Sequence, residues 1–159
     1  MSCDIYEHKL QLMQSNVERL GVSIISMKLQ DGRTLPDSWI NQFDRVLVDA
    51  PCSGLGILQK KLDMRWRKSR ELLFELPTLQ LEILERASKM VKVGGYLIYS
   101  TCTLNHGENG DVLEKFLEHH KDFVIEPVEL KGLPSSKDGM ITTYPPRDDM
   151  DGFFMARMK

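Results

Sequence analysis

Arg45-Val46-Leu47-Val48, closed by Asp49, is the run on which the fold turns. A short apolar stretch of this kind suits a buried parallel strand, and its acidic end marks where the chain leaves the sheet. Downstream, residues 50 to 70 form a long excursion with Pro51, Gly54 and Gly56. It carries Lys60, Lys61, Arg65, Arg67, Lys68 and Arg70. Pro77 stands where a helix begins, and Leu79, Ile83, Leu84, Ala87, Met90 and Val91 share one apolar face before Gly94-Gly95. Tyr96-Leu97-Ile98-Tyr99-Ser100-Thr101 reads as a second strand running directly into Cys102, and Val112, Leu113, Phe116 and Leu117 mark the next helix.

Working upstream, Gln30-Asp31-Gly32-Arg33 is a turn and Val22 to Met27 reads as a strand. Leu10, Met13, Val17 and Leu20 give Tyr6 to Leu20 an amphipathic helical period, stopped by Gly21. Asp4 and Glu7 are spaced like a capping pair ahead of that helix. Toward the carboxyl terminus, Phe123-Val124-Ile125 is an expected strand. A connection containing Pro and Gly follows, and Gly152 to Met158 is a final strand. Strand, loop and helix alternate, which predicts an α/β domain with a mostly parallel, doubly wound sheet whose ligands lie beyond the carboxyl ends of its strands. Asp4, Asp31, Asp49 and Cys102 all fall at such ends or in the turns just after them.

The bulk figures agree with one folded domain. The chain has 159 residues, 42% apolar and 28% charged, which excludes a disordered, collagen-like or coiled-coil class. No run approaches the roughly 18 apolar residues of a membrane span, and the amino terminus does not resemble a secretory signal, so a cytoplasmic protein is expected. The formal charge of −2 gives no global case for nucleic-acid binding, so any such surface is local. Cys3, Cys52 and Cys102 cannot all pair, and none lies in a Cys-x-x-Cys arrangement. Thiols in a reducing compartment and no metal site are expected.

A cysteine that follows a strand and precedes a helix is a candidate nucleophile, because helix-terminal amides and nearby cations favour thiolate. It is also, commonly, a buried inert thiol, and pattern alone leaves both open. Several local words say more. In order along the chain stand Asp49-Ala50-Pro51-Cys52-Ser53-Gly54-Leu55-Gly56, Asp63-Met64-Arg65-Trp66, Ser100-Thr101-Cys102-Thr103, Glu108-Asn109 and Asp151-Gly152-Phe153-Phe154. Together they resemble the Nol/Nop/Sun family of RNA cytosine-5 methyltransferases, most closely the bacterial Sun or Fmu type that modifies 16S ribosomal RNA, over essentially all 159 residues.

The resemblance implies a Rossmann-like class I methyltransferase sheet, S-adenosylmethionine as cofactor and RNA, in the first place 16S rRNA, as partner. Cys102 matches the family's nucleophile, whose thiolate adds to C6 of cytosine and makes C5 able to attack a methyl group. At an ordinary pKa near 8.5 only about a tenth of a thiol is ionised at pH 7.5, so lowering that pKa raises the reactive fraction. Cys52 matches the family cysteine implicated in releasing the product, and Asp49 the aspartate near both cytosine and cofactor. Asp4 fits the acid that accepts from the cofactor ribose, alongside its reading as a helix cap, and Asp31 the acid facing the adenine amino group, alongside its reading as a turn residue. Lys60, Lys61, Arg65, Arg67 and Lys68 are expected to meet RNA phosphates or else to form a solvated loop, and Trp66 to stack on a base or anchor that loop.

Family members also carry a Gly-rich cofactor loop, with the first strand and helix of the core, before the region matching Asp4. Residues 1–159 read as an incomplete S-adenosylmethionine-dependent methyltransferase domain lacking these parts and the amino-terminal RNA-binding modules. The family's first strand is central, so its two neighbours are expected to have unpartnered edges and to be open to self-association. An inactive RNA-binding or assembly portion is therefore the competing expectation.

Overall fold

The structure, a computed structural model, describes residues 1–60, 72–129, 132 and 138–159. Two parallel strands, β1 (Ser2–Asp4) and β2 (Met27–Leu29), form a small sheet joined by helix α1 (Glu7–Leu20). A second sheet holds β3 (Phe43–Asp49), β4 (Val91–Thr101), β5 (Met140–Thr143) and β6 (Phe153–Met158) in the order β3-β4-β6-β5. β3 and β4 pair in parallel, and β6 runs antiparallel to both β4 and β5, so β6 alone opposes the direction of that sheet. The sheet is thus mostly parallel, as the alternation implied. Among the described residues β1 pairs only with β2, and β3 only with β4, so an edge of each sheet stands without a ladder partner.

Helices α2 (Leu72–Ser88) and α3 (Gly110–His119) cover one face of the larger sheet. Leu84 and Ala87 of α2, with Val112, Leu113 and Phe116 of α3, pack on Val48, Leu97, Tyr99, Phe154, Ala156 and Met158. These strand residues share a face because Val48 is in register with Tyr99, and Leu97, Tyr99 and Thr101 are in register with Met158, Ala156 and Phe154. The opposite face of β3 is open. Leu47 is 64% exposed, so this strand, expected to be buried, is covered on one side only. α1 buries no residue completely: Leu10, Met13 and Val17 are half-covered and Leu20 is exposed.

Several boundaries differ from the sequence reading. Val22 to Ser26 is irregular and only Met27–Leu29 joins β1, because a strand's extent is set by its ladder partner and β1 offers three residues. Pro77 lies inside α2 rather than at its start; proline lacks only its own N–H, and the carbonyl one turn earlier loses a partner without breaking the helix. Val91 belongs to β4, which begins before Gly94-Gly95 with an irregularity where Phe43 faces Val91 and Arg45 faces Tyr96. A Cβ on Gly95 would stand 2.8 Å from the Asp44 carbonyl oxygen, so the close strand approach needs glycine. Phe123 to Ile125 makes one isolated bridge, Ile125 to Met158, and β5 lies in the connection read only as containing Pro and Gly. A one-turn helix, α4 (Pro145–Asp148), links β5 to β6.

Asp4 ends β1, Asp31 follows β2 by two residues, Asp49 ends β3 and Cys102 follows β4. Each lies at the carboxyl end of its strand, where open α/β sheets gather their chemistry.

Candidate active site

The parallel register sets Asp49 opposite Ser100. The chain then leaves both strands on the same side, and the two following segments are tied together. Ala50 N donates to Ser100 O at 2.9 Å, Gly56 N to Cys102 O at 3.0 Å, and Gly152 N to Gly56 O at 2.8 Å. Between these ties Cys52 Sγ lies 2.9 Å from Cys102 Sγ, and Cys102 N donates to Cys52 Sγ at 3.3 Å. A disulfide bond is about 2.05 Å long, so the sulfurs are in contact and not bonded. Both thiols are half-buried.

Below the sulfurs is a buried polar layer. Ser53 and Thr103 share a hydroxyl hydrogen bond of 2.7 Å. Thr101 Oγ1 donates to Asn109 Oδ1 at 2.6 Å, and Asn109 Nδ2 donates to Thr103 O at 3.0 Å. The Tyr99 hydroxyl donates to Glu108 O at 2.7 Å. Ser53, Thr103 and Glu108-Asn109 stood out in the sequence only as parts of family words; Gln80 was missed. Gln80 carried a usable signal: it shares with Leu84 and Ala87 a helix face that is otherwise apolar, where an amide needs polar partners.

The Cys102 sulfur beside Cys52, together with burial, pushes the Cys52 thiol far above its ordinary range. Such a pair loses its protons in two steps, and the first belongs to the pair rather than to Cys52. Burial, then the charge of Glu108, likewise raises the Tyr99 hydroxyl. Groups whose folded pKa is raised keep their protons while the unfolded chain loses them. Their stabilisation is complete below the unfolded pKa and is lost as pH rises above it, about 8.5 for Cys and about 10 for Tyr. Thermal midpoints are therefore expected to fall steadily from pH 8.5 upward, less steeply in Cys52→Ser. Parallel pH profiles for the two proteins would refute this origin.

Asp49 is exposed and its Oδ1 accepts from the Ser100 hydroxyl at 3.1 Å. Asp4 Oδ1 accepts from Tyr6 N at 2.9 Å and Oδ2 lies 3.5 Å from Lys9 Nζ, so it forms a turn ahead of α1 instead of bonding the helix's own first amides. Asp31 caps a 3-10 turn through Arg33 N at 2.8 Å and is gripped by the Arg33 guanidinium at 2.7 Å, which holds its carboxyl below the usual range. Asp4 and Asp31 follow the smaller sheet, Asp49 and both thiols the larger one. Lys60 is paired with Asp151 at 2.7 Å. Lys61, Arg65, Trp66, Arg67, Lys68 and Arg70 lie outside the described residues. Among the described residues no three His, Cys, Asp or Glu side chains gather as metal ligands, and no helix is long and apolar enough to cross a membrane.

The fold and its strand-end chemistry define a Rossmann-like methyltransferase core. NSun6 from Pyrococcus horikoshii, solved with SFG, superposes with a TM-score of 0.84 and 28% identity, covering 99% of this chain and 40% of that one. The probable ribosomal RNA small subunit methyltransferase B of Bacillus subtilis (strain 168) is 38% identical over 164 residues, 99% of this chain and 37% of that protein. Ribosomal RNA small subunit methyltransferase F of Aliivibrio fischeri (strain ATCC 700601 / ES114) is 36% identical over 157 residues, 95% of this chain and 33% of its own length. The family described as 16S rRNA methyltransferase RsmB/F matches residues 1–159, and the chain belongs to it. It spans about a third of the length of these curated relatives.

Proposed function

We propose that this chain carries the catalytic centre of an S-adenosylmethionine-dependent methyltransferase acting on C5 of a cytosine in small-subunit ribosomal RNA, with Cys102 as nucleophile. The observation that carries the reading is the sulfur pair, 2.9 Å apart at the ends of neighbouring parallel strands. Three carboxylates at strand ends, Asp4, Asp31 and Asp49, suit a cofactor with ribose hydroxyls and an amino group to bind. S-adenosylmethionine supplies the methyl group as an electrophile.

The residues divide the work as follows. Cys102 forms a bond from sulfur to C6, and the C5–C6 π pair moves to C5, which takes the methyl group. Asp49, exposed at the end of β3 three residues before Cys52, accepts a hydrogen bond from the ring's polar edge while charge shifts across it. Cys52 is held protonated chiefly by its contact with the Cys102 sulfur. Once that sulfur is bound to carbon its competing charge is gone, so Cys52 gives its own proton to solvent and, as thiolate, takes the C5 proton. Loss of that proton restores the C5–C6 double bond and expels the Cys102 thiolate. The reacting base must leave its stack, which favours a loop or single strand, reached by Lys60 and the cations that follow it. The bacterial relatives named for ribosomal RNA support a cytoplasmic reaction within this reading.

The test is a 16S rRNA fragment bearing 5-fluorocytosine, incubated with the protein and S-adenosylmethionine. A complex stable on a denaturing gel is expected, because fluorine cannot leave as a proton does. Its absence under conditions where cofactor binds would overturn the reading. The split between the two sheets favours a second one, in which these 159 residues alone hold RNA without methyl transfer. Calorimetry separates them: micromolar cofactor binding sinks the second reading.

A further inference from the structure

Glu108 is fully buried, yet its carboxylate is ringed by donors from three separate segments. Oε2 accepts from Ser53 N at 2.7 Å and from Gln80 Nε2 at 3.1 Å. Oε1 accepts from Asn105 Nδ2 at 3.0 Å, with the Thr103 hydroxyl at 3.5 Å. Ser53 belongs to the Cys52 segment, Thr103 and Asn105 to the Cys102 segment, and Gln80 to α2. This one group therefore binds both thiol-bearing segments to each other and to the helix beneath them.

The donors cannot be rearranged to accept. Ser53 N is a backbone amide. Gln80 Nε2 also donates to Pro51 O at 2.8 Å, so turning that amide would set its oxygen against a carbonyl. Asn105 Oδ1 accepts from Gly107 N at 3.2 Å, so turning it would leave that N–H without its partner. The cavity requires an acceptor at both terminal positions of the Glu108 head group, Oε1 and Oε2. Only a carboxylate supplies that; aspartate is too short, and glutamine puts an NH₂ against an N–H.

We propose, building on the function above, that Glu108 is the positioning residue that sets the separation of the Cys52 and Cys102 sulfurs. It acts through Ser53 N and Asn105 and touches neither the RNA base nor the methyl donor. Burying a carboxylate is costly without such partners, so its presence beneath the site has a geometric return.

The test reads the sulfur pair directly in the 159-residue protein, without RNA or cofactor. Diamide, a diazene oxidant, takes two electrons and two protons from the thiols to give the Cys52–Cys102 disulfide and a hydrazine, and mass spectrometry follows the loss of two hydrogens. Glu108→Gln is expected to slow closure about tenfold, the scale of one buried unsatisfied polar group. Adding Asn105→Asp turns that partner into an acceptor for the new NH₂ while still accepting from Gly107 N, and is expected to restore closure to near the wild-type rate. A folded Glu108→Gln that closes at the wild-type rate overturns the proposal. So does slowing that Asn105→Asp fails to rescue, which marks a general loss of structure. Should Glu108→Gln not fold, Gln80→Met removes the α2 donor from both Glu108 and Pro51 O and is expected to slow closure severalfold; an unchanged rate there is equally fatal. A wild-type protein that closes quickly but forms no adduct with 5-fluorocytosine RNA would sink the proposed function and leave the role of Glu108 standing.

Discussion

Cys102→Ala is expected to abolish the covalent RNA complex and to reduce methyl transfer on the order of 10⁴-fold or more, as loss of a nucleophile does elsewhere. Cys52→Ala is expected to do the opposite to the complex. With ordinary cytosine RNA and cofactor, a denaturing gel should show it accumulating, because the adduct forms while its resolution is impaired. The asymmetry follows from the geometry. The sulfurs share one hydrogen bond, so the first proton lost belongs to the pair, and the neighbouring sulfur and burial push the Cys52 thiol up. Cys102 is one residue beyond β4 and Cys52 three beyond β3, so each thiol has its own strand as a mount. A complex that survives in Cys102→Ala and vanishes in Cys52→Ala would reverse the two roles.

The second large effect is expected at a residue with no reactive atoms. A Cβ on Gly56 would stand 1.9 Å from Gly152 O, 2.6 Å from Gly152 C and 2.9 Å from Cys102 O. All three are backbone atoms, so no side chain can swing aside. The positions are fixed by the bonds Gly56 N to Cys102 O and Gly152 N to Gly56 O, which lash the Cys52 segment to the Cys102 segment and to the start of β6. Gly56→Ala must break at least one of them, at a cost of about 3 kcal/mol from a lost buried pair and local strain. For a chain of this size that lowers the thermal midpoint by about 6 to 12 °C. Diamide closure of the thiols should slow with it. A variant with an unchanged midpoint and closure rate would show that the lashing is dispensable.

Much of this architecture was legible beforehand. Apolar runs such as Arg45 to Val48 and Tyr96 to Thr101 marked β3 and β4, because side-chain alternation and burial leave a local trace. Those strands placed Asp49, Cys52 and Cys102 at their carboxyl ends. Extents were less legible. The open face of β3 and the three-residue length of β2 depend on what the rest of the chain supplies as cover or as a ladder partner. The role of Glu108 was hidden for a related reason: its donors come from Ser53, Gln80, Thr103 and Asn105, which span more than fifty positions.

By itself, then, the sequence determined the alternating α/β order, the strand-end placement of the reactive residues and the family words around the two cysteines, all carried by neighbouring residues. Only the tertiary structure decided that Cys52 and Cys102 touch and that Glu108 ties both thiol segments together. The parallel register of Asp49 with Ser100 makes that decision. Backbone hydrogen bonds between distant segments fix it, and no local pattern of side chains encodes which residue will stand across the ladder.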